Sequence, residues 1–321
     1  MSGGETGRVT RRDTLLMLAV PLLWGLNFLA IDLGMGEVPP LLFLAIRFVL
    51  VAFPAVLVIP RPDCSWRVLA GIGLFMSAGQ FGLLYVSMDL GMPPGLASLV
   101  LQAQVVFTIV IASGVLREHP TRTQVVGVVI GVAGLVVVVL GRGGHVPLLA
   151  LMVCLAAGLS WAIGNVIARA SRSPGGLGVT VWSGLVVPAP ILALSLLVDG
   201  PEGVVDGLRA FGWEAVLGTL YTVVFASFVG YAIFNTMISR YPGSAVVPWI
   251  LLVPVVGILS AWLVVDERPA PGELAGGALL VLGVLVAQGV LSRRRNPTSG
   301  VAKSQKRDPE SSEMAAACSQ K

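Results

Sequence analysis

The chain has 321 residues, of which 55% are hydrophobic and only 12% charged, and its mean hydropathy is +0.88. Soluble domains carry about a quarter of charged residues, so this composition excludes a soluble globular protein and predicts an all-α integral membrane protein. The net charge of +4 comes from basic residues in turns between apolar runs, not gathered on one folded face, which argues against a nucleic-acid partner.

Ten apolar runs follow one another, each near the roughly 20 residues that a hydrocarbon core of about 30 Å requires. They cover Thr14–Leu33, Pro40–Ile59, Val68–Met88, Pro94–Leu116, Arg122–Leu140, Val146–Ala168, Leu177–Val198, Trp213–Ser239, Gly243–Val265 and Gly272–Leu291. The first follows MSGGETGRVTRRD, a basic start like that of a signal peptide. Its apolar stretch is long and lacks a clear small-residue cleavage site, so a retained helix is expected. A cytoplasmic N-terminus gathers Arg8, Arg11, Arg12, Arg61, Arg67, Arg117, Arg122, Arg169, Arg172, Arg240 and Arg293 to Arg295 inside, leaving Arg142, Arg209 and Arg268 outside. That positive-inside asymmetry predicts a multi-pass protein with both termini cytoplasmic.

Taken in order, the first run carries Trp24 and Asn27, neighbours on one helix face; Asn27 either bonds a neighbouring helix or faces a cavity. In the second run, Pro39 and Pro40 suit a first helical turn, and Arg47 falls about 10 Å below that end, where it must snorkel or line a cavity. The third run holds Ser77 and Gln80 on one face and Tyr85 nearer its outer end, as packing or as cavity residues. The fourth holds Gln102 and Gln104. On one continuous helix two residues of separation turns them about 200° apart, which predicts a central helix with protein or a water-filled cavity on both sides. Gly127 and Gly131 in the fifth run form a small-xxx-small pattern that lets backbones approach closely.

The second half repeats the first. VLREHP at Val115–Pro120 corresponds to VVDERP at Val264–Pro269, and the offset 267 − 118 = 149 also carries Pro120 to Pro269, Gly127 to Gly276 and Gly134 to Gly283. Trp161 and Asn165 answer Trp24 and Asn27, the asparagine one residue out of register. Five helices per copy is an odd number, so the copies enter the membrane from opposite sides, an arrangement typical of secondary transporters. The expected units are a first repeat over 14–140, a second over 146–291, and a disordered cytoplasmic tail over 292–321.

Within the second copy, Ser227, Tyr231 and Asn235 recur every four residues as a polar stripe. Pro248 and Pro254 would free carbonyls near Ser244 and Ile250. Glu118 and Glu267, each shortly before a proline, either favour the dipole of the helix that follows or take part in gating.

The stretches WGLNF at Trp24–Phe28 with Arg47 downstream, MPPGLASLVLQAQVVFT at Met92–Thr108, SWAIGN at Ser160–Asn165 and LLVPVVGILSAWLVVDE at Leu251–Glu267 resemble the EamA type of the drug/metabolite transporter superfamily. More narrowly, they resemble its bacterial exporters of O-acetylserine and cysteine. The resemblance implies ten helices in two inverted five-helix repeats around a central cavity, alternating access in the bacterial cytoplasmic membrane, and export of small metabolites, typically amino acids or their derivatives. The residues it carries over are Trp24, Asn27, Arg47, Gln102, Gln104, Trp161 and Asn165; the polar pattern of the chain itself adds Gln80, Tyr85, Tyr231 and Asn235 as cavity residues. Export of unrelated drugs or toxic metabolites and a non-transporting membrane sensor stand as alternatives.

An intramembrane enzyme would need a nucleophile with a base or paired carboxylates inside the bundle. The runs contain no histidine, and Asp32 is the only carboxylate near a span end that could turn inward. No GxxxxGK[ST] loop is present for direct ATP coupling. Cys64, Cys154 and Cys318 are scattered, and His119 and His145 are isolated, so neither a disulfide framework, a metal site nor a cofactor is expected. The partners to expect are a small-molecule cargo and the lipid bilayer, with a second copy of the chain as a further candidate. Coupling through Asp32, Asp89 or the turn glutamates, facilitated efflux and exchange all remain open.

Overall fold

The computed structural model describes residues 10–141, 146–171 and 176–289, and every regular element among them is helical. Helix α1 spans Arg11–Met35, α2 Pro40–Val56, α3 Trp66–Asp89, α4 Pro94–Val115, α5 Arg122–Gly141, α6 Leu148–Ala170 and α7 Gly176–Val198. A short helix α8, Gly200–Arg209, precedes α9, Trp213–Arg240; α10 consists of Gly243–Ile250 and Val253–Val265, and α11 is Pro271–Ala287. Eight helices are long and apolar enough to cross a membrane, and α2 and α11 are shorter apolar helices of about 25 Å at 1.5 Å per residue. The predicted tail over 292–321, Cys318, His145 and Arg8, Arg142, Arg172 and Arg293 to Arg295 lie outside the described residues.

The end of the bundle where α1 begins is called proximal and the other distal. At the proximal end the buried Asp13 carboxylate accepts from the Tyr241 hydroxyl at 2.6 Å and pairs with Arg240 at 3.4 Å, tying the start of α1 to the end of α9. At the distal end α1 meets α9 where Gly34 and Gly218 lie backbone to backbone. Helix α8 had no counterpart in the reading of the sequence. It is amphipathic, with Val204 and Gly207 buried, Gly207 against Pro39 and Leu42, and the Asp206–Arg209 ion pair exposed.

Helices α5 and α11 form the tightest antiparallel seam, because glycines let their backbones touch: Gly127 lies on Gly283 and Ala287, Gly134 on Gly276 and Leu280, and Gly141 on Gly272. The 149-residue offset maps the Gly127–Gly283 contact onto Gly276–Gly134, so the seam maps onto itself under that offset.

Several helices are interrupted, and the interruptions shape the interior. Gly73–Gly79 in α3 and Tyr221–Val229 in α9 wind as π-helix, a geometry concentrated at functional sites. Helix α4 breaks at Leu101–Gln102 and α10 at Leu251–Leu252, starting three residues after Pro248. All four irregularities fall at mid-bundle and recur within one residue of the offset.

Candidate functional site

A cavity of about 470 Å³ opens where these interruptions converge, within the range of small-molecule sites. Its walls reach from Phe28 and Ser98 on the distal side to Asn165, Phe234 and Gln288 toward the proximal side. Of the residues singled out in the sequence, Trp24, Asn27, Arg47, Gln80, Gln102, Gln104, Trp161, Asn165 and Tyr231 line it. Tyr85 and Asn235 do not. Tyr85 is fully buried behind Arg47, and Asn235 lies one turn beyond Tyr231.

Gln102 and Gln104 line one cavity, not two opposed surfaces. Expecting opposed faces assumed a continuous helix, whereas Gln102, Gln104 and Val105 each donate their amide to the carbonyl three residues back, at 3.1 Å, around the break. The two pieces of α4 are offset there, and the angular reckoning along one cylinder no longer applies. Gln104 Oε1 accepts from Asn165 Nδ2 at 3.0 Å; the same Nδ2 reaches Thr108 Oγ1 at 3.4 Å, and Thr108 returns its hydroxyl to the Gln104 carbonyl at 2.7 Å. This network welds α4 to α6 along one wall.

Arg47 is only 2% exposed, so it does not snorkel. Nη1 donates to the Tyr85 hydroxyl at 2.8 Å and Nη2 to Ser227 Oγ at 3.3 Å, while the guanidinium lies 4.4 Å from the Phe81 ring centroid. Ser227 can serve because it hands its own hydroxyl to the Thr222 carbonyl inside the π-helical stretch, at 2.7 Å. Among the described residues Arg47 Nε has no partner, nor have Asn27 Oδ1 and Gln288 Oε1, all three buried atoms of cavity-lining residues. Unmet buried polar atoms around a cavity mark where a cargo or water is received. Arg47 is the only charged residue among the described lining. Trp24 donates from Nε1 to the Ala226 carbonyl at 3.0 Å, next to the Ser227 that receives Arg47, and packs on Tyr231 and Phe234 at 5.1 and 5.4 Å.

Gln288, Ser98 and the aromatic wall of Phe28, Phe81 and Phe234 were not singled out in the sequence. A lone polar residue at the end of the Gly272–Leu291 run was the available signal for Gln288.

The turn glutamates do not cap the helices that follow them. The α11 N-terminus is capped by its own Glu273, which accepts from Ala270 N at 2.7 Å, and α5 by Thr121 and Gln124. Glu267 instead crosses the bundle to accept from Gly95 N at 2.8 Å and Leu96 N at 3.0 Å, at the start of α4. Glu118 pairs with Arg169 at 2.9 Å. The distal end is therefore closely packed: Pro94–Val100 packs on Val253–Val265, Val256 presses on Gly25, and Ser98 on Gly257. The proximal piece of α4, Ala103–Val115, packs instead on α6 and α5.

The sequence profile of the EamA-like transporter family matches residues 13–140 and 148–288. The chain is 38% identical over 284 residues to the "Probable amino-acid metabolite efflux pump" of Salmonella typhimurium and equally to that of Escherichia coli, covering 87% of this chain and 95% of each relative. It is 27% identical over 220 residues to the "Probable terminal-alkyne amino-acid exporter" of Streptantibioticus cattleyicolor, covering 66% of this chain and 70% of that one. A solved crystal structure, 22% identical, matches with a TM-score of 0.59 over 89% of this chain and 99% of the other, a likeness of fold.

Proposed function

The chain belongs to the EamA-like transporter family, and we propose that it exports small carboxylate-bearing metabolites, amino acids or their derivatives, by alternating access. It is a multi-pass membrane transporter and not an enzyme. The observation that carries the reading is Arg47. A buried guanidinium is costly unless it is paired, yet this one is the only charge among the described lining and keeps Nε unpartnered. A cargo carboxylate supplies the missing partner. The amide oxygens of Asn27 and Gln288 and the faces of Trp24 and Phe81 then offer an ammonium group acceptors and cation–π contacts. The relatives' printed names, amino-acid metabolite efflux and amino-acid export, agree with this chemistry.

In this reading the ten spanning helices are α1 to α7 and α9 to α11, arranged as two inverted five-helix repeats over 14–140 and 146–291. Support comes from the two separate family matches, the self-related α5–α11 seam and the recurring π-helical and broken segments. Arg11, Arg12, Arg61, Arg67, Arg117, Arg122, Arg169 and Arg240 sit at proximal ends and Arg209 and Arg268 at distal ones, which supports a cytoplasmic proximal face. The closely packed distal end then makes this the inward-open state, poised to load cargo from the cytoplasm. The test is efflux of labelled amino acids and thiols from proteoliposomes, with and without a pH gradient. Saturable efflux of carboxylate cargo that Arg47→Ala removes is expected; rates unchanged by that substitution would overturn the reading.

A further inference from the structure

Glu118 and Glu267 stand at the same place in the two halves of the chain but in different engagements. Among the described residues the two non-glycine positions with positive φ are Arg117, at 54°, and Asp266, at 50°. They are 149 residues apart, the repeat offset, and each immediately precedes its glutamate. The left-handed region is costly for a side-chain-bearing residue and is kept where the surrounding structure requires it. Here it turns the chain so that the glutamate next in sequence leaves its own helix and is presented across the bundle. Glu267 uses that presentation to accept two amides at the start of α4.

The receiving end is repeated as well. Pro93 precedes Pro94–Val100 with φ −63° and ψ 141°, and Pro242 precedes Gly243–Ile250 with φ −59° and ψ 141°. Neither helix start has a side-chain cap of its own. By the offset, Gly95 and Leu96 correspond to Ser244 and Ala245, and in this structure the Ala245 amide is turned back on the Pro242 carbonyl at 2.8 Å. Glu118 is absent from them in this structure and rests on Arg169 in an exposed ion pair, the side chains 41% and 58% accessible. Exposed pairs of this kind are worth little and exchange readily. Two amide bonds to a carboxylate at a helix start, reinforced by the helix dipole, are stronger.

We propose that Glu118 is the second of two alternating latches. When the proximal end closes, its carboxylate leaves Arg169 and accepts hydrogen bonds from the amides of Ser244 and of Ala245, which exchanges its Pro242 acceptor for the carboxylate, while Glu267 releases Gly95 and Leu96 and the distal end opens. Each glutamate thereby holds one of the two end states by the same bond, and one half-helix start in each repeat is the strike plate. The inference rests on the alternating-access reading and adds the residues that carry it. Glu118 and Glu267 are positioning residues: they touch no cargo.

The test uses the full chain, with Cys64, Cys154 and Cys318 replaced, reconstituted in bilayers. Spin labels are placed on Thr123→Cys with Ser239→Cys at the proximal end and on Leu90→Cys with Leu263→Cys at the distal end, and distances are read by double electron–electron resonance. E118A is expected to deplete the short proximal distance about fivefold and E267A the short distal distance by a similar factor, in line with the loss of a pair of amide hydrogen bonds. R169A, which frees Glu118, is expected to enrich the short proximal distance. A residue needed only for folding would not move the two ends in opposite directions. The latch is overturned if E118A leaves the proximal distribution unchanged while cargo still exchanges the two distances, or if both glutamate variants open the same end. Distances that never respond to cargo would overturn alternating access and the latch with it.

Discussion

Arg47 Nη1 donates a 2.8 Å hydrogen bond to the Tyr85 hydroxyl, and the phenol that receives it is wholly buried against Phe43 and Phe81. Tyr85 thus holds the guanidinium from behind while Nε stays available at the cavity. Tyr85→Phe is expected to raise KM for carboxylate cargo about five- to tenfold with little change in maximal rate, the effect of losing one hydrogen bond to a charged group. Efflux kinetics at matched membrane abundance check it. A fall in maximal rate at unchanged KM would mean that Tyr85 acts on the conformational step.

Arg47→Lys keeps the charge but loses the planar fork that reaches Tyr85, Ser227 and a carboxylate together. It is expected to impair anionic cargo more than neutral cargo. Competition between an amino acid and its amide for the same labelled cargo reads the difference directly, and equal losses for both would remove the carboxylate contact.

Gln104 and Asn165 fasten α4 to α6 at the wall of the cavity. Gln104→Ala deletes the acceptor and leaves the Asn165 amide with only the long Thr108 contact. Transport is expected to be lost while membrane insertion is kept, because one half-buried polar contact contributes only about 1 kcal/mol to assembly. Wild-type efflux from reconstituted Gln104→Ala vesicles would sink the expectation.

How far the sequence carried this picture can be traced through particular residues. Trp24, Asn27, Arg47 and the glutamine pair are legible because polar groups in an apolar stretch are few and costly. The 149-residue offset is legible because the glycines and glutamates keep their spacing. What could not be read was the winding between them. Nothing in GLFMSAG or YTVVFASFV announces a π-helix, and Gln102 and Gln104 were assigned to opposite faces because a break at Leu101–Gln102 leaves no composition signal. Tyr85 and Asn235 matched a polar pattern without reaching the cavity. Capping the helix that follows is one of the two readings their position before proline offers for Glu118 and Glu267, gating the other; the left-handed Arg117 and Asp266 turn both from that helix, Glu267 onto the start of α4 and Glu118 onto Arg169.

The α5–α11 seam makes a stability prediction that is independent of transport. A Cβ at Gly276 would press on Val138 N and Gly134 O, both backbone atoms that cannot swing aside, whereas one at Gly114 would meet nothing within 4 Å. Gly276→Val is therefore expected to cost about 1–3 kcal/mol and to lower the unfolding midpoint in detergent, and Gly114→Ala to leave it unchanged. Equal midpoints for both variants would show that the seam relaxes without cost.

The distal latch should respond to pH, and the sign follows from the surroundings of Glu267. Its partial burial pushes the carboxyl above its ordinary value of 4.5; the amides of Gly95 and Leu96 pull it back down, and the nearby carboxylates of Glu273 and Asp32 push it further up. The net shift is upward. The closed distal end therefore binds a proton more tightly than an open one in which Glu267 is solvated, and by linkage acidification favours closure. That preference is fully present below 4.5 and is lost as pH rises through the raised value. The short Leu90→Cys to Leu263→Cys distance is expected to gain population as the pH on the distal side falls from neutral toward that window. In Glu267→Gln it should stay flat, since no proton remains to bind there. Asp32→Asn, by removing one of the two neighbouring carboxylates, should shift the response to lower pH. A short-distance population that shrinks on acidification would instead mean that the two amides outweigh burial and the neighbouring charges, and that the closed latch requires the ionised carboxylate.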